Sequence, residues 1–86
     1  MKDEVLKVYA YVITSTYRER VVKSLAKHDM IPTEIANDSG IRTNHISKVL
    51  TELKAKEIVI CTNEEQRKNR NYHLTDLGRE IAKTLK

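Results

Sequence analysis

The chain has no phenylalanine and no tryptophan, so aliphatic side chains and four tyrosines must supply whatever core it builds. A single cysteine, Cys61, excludes an intrachain disulfide and any structural zinc site made of several thiolates. The opening residues MKDEVLK lack the apolar segment of a signal peptide, and no apolar run reaches membrane-spanning length. Internal repeats, low-complexity tracts and interdomain linkers are missing too. The chain therefore reads as a soluble, cytoplasmic protein with no membrane partner.

What remains fits one domain over residues 1–86. A chain of this length buries only about two-thirds of its unfolded surface, so its core is modest and a partner subunit would help it. Sixteen Lys and Arg stand against 12 Asp and Glu, a formal net charge of +4. That mild basicity suits a polyanionic partner without requiring one. His28, His45 and His73 lie at no ligand spacing, so no metal is expected. No Ser-His-Asp order, Gly-rich phosphate loop or paired carboxylates point to catalysis, and neither enzyme activity nor a cofactor is expected. Cys61, flanked by Ile60 and Thr62, is expected to be a buried small hydrophobe rather than a redox switch.

The richest stretch is residues 32–49, PTEIANDSGIRTNHISKV. Its spacing is that of a helix-turn-helix. Ala36 sits where two helices cross closely, and Gly40 can turn left-handed at little cost. Ile35, Ile41, Ile46 and Val49 fall at inward positions. Pro32 suits the first position of the first helix, which should end near Ser39 and Gly40. Thr43 is the expected N-cap of the second helix, placed over residues 44–56 with Leu50 and Leu53 also inward.

Upstream, Val5, Leu6, Tyr9, Val12 and Ile13 recur at helical spacing over residues 3–13, although the same residues would suit a strand. Thr16 and Glu19 have the spacing of a capping box, predicting a helix from about 17 to 28 that buries Val21, Val22, Leu25 and Ala26. Residues 29–31 connect it to Pro32, and Ile31 is the expected bridge to a later hairpin. Downstream, the β-branched run 58–62, a polar stretch NEEQRKNRN and the alternation Tyr72-His73-Leu74 describe a β-hairpin over 58–75. A last helix over 76–86 carries Leu77, Ile81 and Leu85 on one face. All four tyrosines fall in apolar patterns and read as core or rim, with Tyr72 packing the hairpin onto the second helix of the pair.

Helix-turn-helix followed directly by a hairpin resembles the small winged helix-turn-helix regulators of archaea and bacteria, a group related to the MarR and ArsR families. The residues that carry the resemblance are Ser15-x-Tyr17-Arg18, the run Pro32-Thr33-Glu34-Ile35-Ala36, and His45-Ile46-Ser47-x-x-Leu50-x-x-Leu53. Arg70-x-Tyr72-x-Leu74-Thr75-x-x-Gly78 completes them. The resemblance implies a mainly α (α+β) fold: a three-helix core, a two-stranded wing and terminal helices. It also implies transcription regulation through double-stranded DNA, as a homodimer joined by the N- or C-terminal helix. The chain departs from the pattern in two places. Glu64 and Glu65 nearly cancel the wing's Arg67, Lys68 and Arg70, and Ile31 stands where a capping Thr is common.

The expected DNA contacts follow from this arrangement. Arg42, Thr43, Asn44, His45, Ser47, Lys48 and Thr51, on the outward and N-terminal side of the recognition helix, can reach base edges or phosphates. Arg67, Lys68 and Arg70 would meet the backbone or minor groove, and Arg18 and Thr33 the backbone. Arg18 could equally pair with a carboxylate. A winged helix can also serve as a protein-interaction module without reading bases, and RNA is a third class of partner. No small-molecule ligand is evident.

Overall fold

The computed structural model describes residues 3–85. The order is α1 (Asp3–Ile13), α2 (Thr16–Lys27), α3 (Pro32–Ser39), α4 (Thr43–Ala55), β1 (Val59–Cys61), β2 (Tyr72–Leu74) and α5 (Asp76–Thr84). Residues 3–13 are thus helical rather than extended. Helices α2, α3 and α4 form the three-helix core, the hairpin follows α4, and α1 and α5 pack on α2. Fully buried Val12, Val21, Val22, Ile35, Ile46, Leu53, Ile58, Val59 and Ile81 fill the centre.

Caps and turns are decided by immediate neighbours, and three of them fall one residue from the expected place. Ser15, not Thr16, caps α2: its hydroxyl oxygen accepts the Arg18 N–H at 3.3 Å. The link between α1 and α2 is two residues long, so the last of them must be the cap. Arg42, not Thr43, precedes α4, and its carbonyl accepts the N–H groups of His45 and Ile46 at 3.0 and 3.2 Å. Thr43 therefore lies in the first turn and α4 ends at Ala55, one residue earlier at each end than expected. The bridge to the hairpin is made by Met30, not Ile31, through two hydrogen bonds with Tyr72 of 3.2 and 2.9 Å. Ile31 is occupied as the N-cap of α3, where its N–H donates to the Glu34 carboxylate at 3.0 Å.

Gly40 holds φ of 74° and donates its N–H to the Ala36 carbonyl at 3.0 Å, which closes α3 and aims the chain at α4. The other end of α4 closes differently. Glu57, at φ 59°, donates to Lys54 and Ile58 donates to Leu53, each at 3.0 Å. This is a Schellman turn with glutamate in the usual glycine position.

The strands pair antiparallel, with Val59 opposite Leu74, Ile60 opposite His73 and Cys61 opposite Tyr72. Cys61 is half-buried rather than enclosed, and its thiol lies 3.5 Å from the Asn63 side-chain oxygen. Ala26 is exposed, and Ser24 is buried instead because it faces α3 and hydrogen-bonds Asp38. Leu6 and Ile13 also turn outward, at 49% and 45% exposure. Helix α5 ends at Thr84 with Leu85 extended behind it, and Lys86, expected to continue the helix, lies outside the described residues.

Candidate nucleic-acid interface

Four inward residues, Ile46, Val49, Leu50 and Leu53, seat α4 in the core and so turn the intervening positions outward. Thr43, Asn44, His45, Ser47, Lys48 and Thr51 are all exposed, as is Arg42 ahead of them. No acidic residue occupies the first turn, where carboxylates are otherwise favoured by the helix dipole. The Thr51 hydroxyl donates to the Ser47 carbonyl at 2.9 Å, leaving its oxygen lone pairs outward as acceptors.

The wing adds its cations to this same face. Arg67, Arg70 and Tyr72 line a groove of about 320 Å³ together with Ser47 and Thr51 of α4. Tyr72 shares the groove wall with Ser47 and Thr51 of α4 while its backbone bridges to Met30, and Lys68 is exposed on the loop outside the groove lining. The loop is shaped by its own polar groups. Asn63 accepts the Asn71 N–H at 2.6 Å and donates to the Asn69 carbonyl at 3.2 Å, and Arg70 Nε donates to the Gln66 carbonyl at 2.7 Å.

Glu64 makes its hydrogen bond outside the wing, with Arg70 a weaker neighbour that also favours its charged form. Its carboxylate bonds the Lys54 ammonium at the end of α4, which holds Glu64 below the usual carboxylate range and raises Lys54. One of the two glutamates that seemed to cancel the wing's charge is thereby spent on the helix. The pairing spans ten residues of chain, and composition offers no signal for it.

Thr33 is exposed in the first turn of α3. Arg18 is placed otherwise: its side chain is 17% exposed and paired with Glu52 of α4. Two residues outside the expected set sit beside the interface. Tyr17, 40% exposed at the start of α2, lies 5.5 Å ring to ring from His45, and Glu52 lines the same hollow. Tyr17 adjoins Arg18 in the sequence, the one hint that it belonged here. His73 faces the Asp29 carboxylate at 2.6 Å, and the neighbouring His28 ring bonds the Asp29 backbone carbonyl. Among the described residues, no group of three or more His, Cys, Asp or Glu could hold a metal ion, and no helix is long and apolar enough to cross a membrane.

The architecture is a winged helix-turn-helix. No family model matches the sequence, and neither does any curated protein. Solved structures share the fold. The MarR family transcriptional regulator SPO1453 from Silicibacter pomeroyi DSS-3 aligns over 96% of this chain and 62% of its own, at TM-score 0.75 and 18% identity. The adhesin competence repressor AdcR from Streptococcus pyogenes covers 81% of this chain and 52% of its own, at TM-score 0.70 and 20% identity. The C30AH42A mutant of ZitR from Lactococcus lactis covers 81% and 49%, at 0.71 and 20%. At these identities the likeness is one of fold, and it bears out the resemblance to MarR-type winged helices at that level. The chain spans about half to three-fifths of the length of these structures.

Proposed function

We propose that this chain is a transcriptional regulator that binds double-stranded DNA in a sequence-specific manner. Helix α4 enters the major groove and the wing lies on the adjacent backbone or minor groove. The observation that carries the reading is the shared face. An outward surface free of carboxylates from Thr43 to Thr51 meets Arg67 and Arg70 across one groove. Asn44, His45 and Ser47 are the candidates for base edges and Lys48 for a guanine edge or a phosphate, with Arg42, Thr43, Thr51, Thr33, Arg67, Lys68 and Arg70 for phosphates. SPO1453 is a transcriptional regulator and AdcR a repressor on the same fold, which supports a regulatory role.

A second copy of the chain completes the reading. The exposed stripe Leu6, Ala10 and Ile13 on α1 runs at the i, i+4, i+7 spacing of a helix-packing seam, and a dimer would double the DNA site.

Titration of labelled duplex DNA at two salt concentrations tests the proposal. Binding should weaken steeply with salt, and Lys48→Ala with Arg70→Ala should flatten the log–log slope by about 0.9 for each phosphate no longer neutralised. Absence of binding to duplex at low salt overturns it in favour of a protein-interaction module. Preference for single-stranded or structured RNA would overturn it in favour of RNA.

A further inference from the structure

Arg18 belongs to α2, yet its guanidinium is shared between α1 and α4. One terminal N–H group donates to the Tyr11 carbonyl of α1 at 2.8 Å and reaches the Thr14 hydroxyl at 3.4 Å. Nε faces the Glu52 carboxylate of α4 at 3.4 Å. The guanidinium carbon lies 3.8 Å from the centroid of the Tyr11 ring, within cation–π range. Lys56, one residue past the end of α4, also approaches that ring, at 5.2 Å. The Tyr11 carbonyl is fixed in turn by the Thr14 hydroxyl at 2.9 Å.

These contacts have a mechanical consequence. Glu52 lies one residue beyond Thr51 on the proposed DNA-reading helix, and Tyr11 is on the core-packed side of α1, round the helix from the exposed Leu6, Ala10 and Ile13 stripe. A planar guanidinium with several donors in fixed geometry transmits a shift of one partner to the other better than a flexible ammonium would. The side chain is largely withdrawn from solvent and its charge already faces a carboxylate, so little of it remains for a phosphate.

On the reading that α4 binds duplex DNA, we infer that Arg18 is a positioning residue: it sets the orientation of α4 relative to α1 through Glu52, without touching DNA. A second copy of the chain seated on the α1 stripe would shift α1 as a unit and, through the Tyr11 carbonyl, bias α4 by way of one side chain. The coupling depends on a two-sided contact, so removing either side should have the same effect.

A double-mutant cycle on duplex affinity tests this, using the full chain with Arg18→Gln, Glu52→Gln and the pair. Glu52→Gln keeps its size and leaves the guanidinium stacked on Tyr11, so the cycle remains informative if Arg18→Gln folds poorly. Each single variant should lose roughly five- to tenfold in affinity, in the range expected when a coupling contact away from the ligand is removed. The double should be no worse than either single, and the salt slope should stay at the wild-type value. A slope lower by about 0.9 for Arg18→Gln alone would make Arg18 a phosphate contact and overturn the inference. Additive losses, or unchanged affinity in folded Glu52→Gln, would overturn it too. If the wild type itself fails to bind duplex at low salt, the DNA reading falls first, and that result is separate from any behaviour of the variants.

Discussion

A side chain on Gly78 would run into the carbonyl oxygen of Ile58, and its β-carbon would lie 3.0 Å from the Leu74 side chain. Helix α5 therefore rests directly on the backbone that leads into the wing. The Ile58 carbonyl cannot retreat, because it accepts the Thr75 N–H at 3.0 Å, and the Thr75 hydroxyl oxygen caps α5 by accepting the Gly78 N–H at 3.1 Å.

Gly78→Ala should accordingly destabilise the domain by about 2 kcal/mol or more, since a backbone atom must move to admit the methyl group. Gly40→Ala provides the contrast. Nothing lies within 4 Å of its added carbon, so only the left-handed backbone opposes it, at about 1 kcal/mol. For a domain of this size each kcal/mol lowers Tm by roughly 4–8 °C, and thermal unfolding of the two variants should separate them clearly.

Glu57→Gly should act in the opposite direction. Glu57 holds φ of 59° in the turn after α4, and both hydrogen bonds of that turn are made by the backbone. Glycine would keep those bonds and relieve the strained backbone, gaining about 0.5–1 kcal/mol after its larger unfolded-state entropy is counted. Urea denaturation with an unchanged m-value and a higher midpoint would show it.

The Lys54–Glu64 tether gives the wing a defined pH range. The Lys54 bond lowers the Glu64 pKa, so its contribution is complete above the ordinary value of 4.5 and is lost as pH falls through the lowered one. The Glu64 bond raises Lys54, so that contribution is complete below 10.5 and is lost as pH rises through the raised value. Amide resonances of residues 62–66 should hold steady between these limits and shift at either end. In Glu64→Gln both transitions should vanish, and their persistence would mean that the pair does not anchor the loop.

Leu6→Glu with Ile13→Lys should leave the fold of the chain intact, because both side chains are about half exposed, and surface changes of this kind cost about 0.5 kcal/mol or less. If the proposed α1 dimer forms, their effect should appear as its loss in sedimentation equilibrium, together with weaker binding to a two-site duplex. A dimer that survives the substitutions would move the interface away from α1.

The helix-turn-helix was legible because its rules are local. Pro32, Gly40 and four inward aliphatic residues act within a few positions of one another, and each does in the structure what its spacing predicts. The caps at Ser15 and Arg42 and the bridge at Met30 were missed by one residue. Two polar neighbours can each cap in principle, and only the length of the link between helices chooses between them. The outward face of α4 was equally readable, since burying Ile46, Val49, Leu50 and Leu53 leaves the other residues no other side to occupy.

The amino-acid order by itself marked the helix-turn-helix pair and the two-stranded hairpin, because helical and strand periodicities are properties of short segments, while the state of residues 3–13 stayed open until the packed structure made them a helix. Tertiary structure decided where the charges went. Arg18 finds Glu52 across a separation of 34 residues, Glu64 bonds Lys54 at the end of α4, and Ser24, hydrogen-bonded to Asp38, is buried where Ala26 is exposed. Electrostatic and hydrogen-bonding partners are chosen by distance in space, and a linear pattern contains no record of which distant groups the packed core will bring within reach.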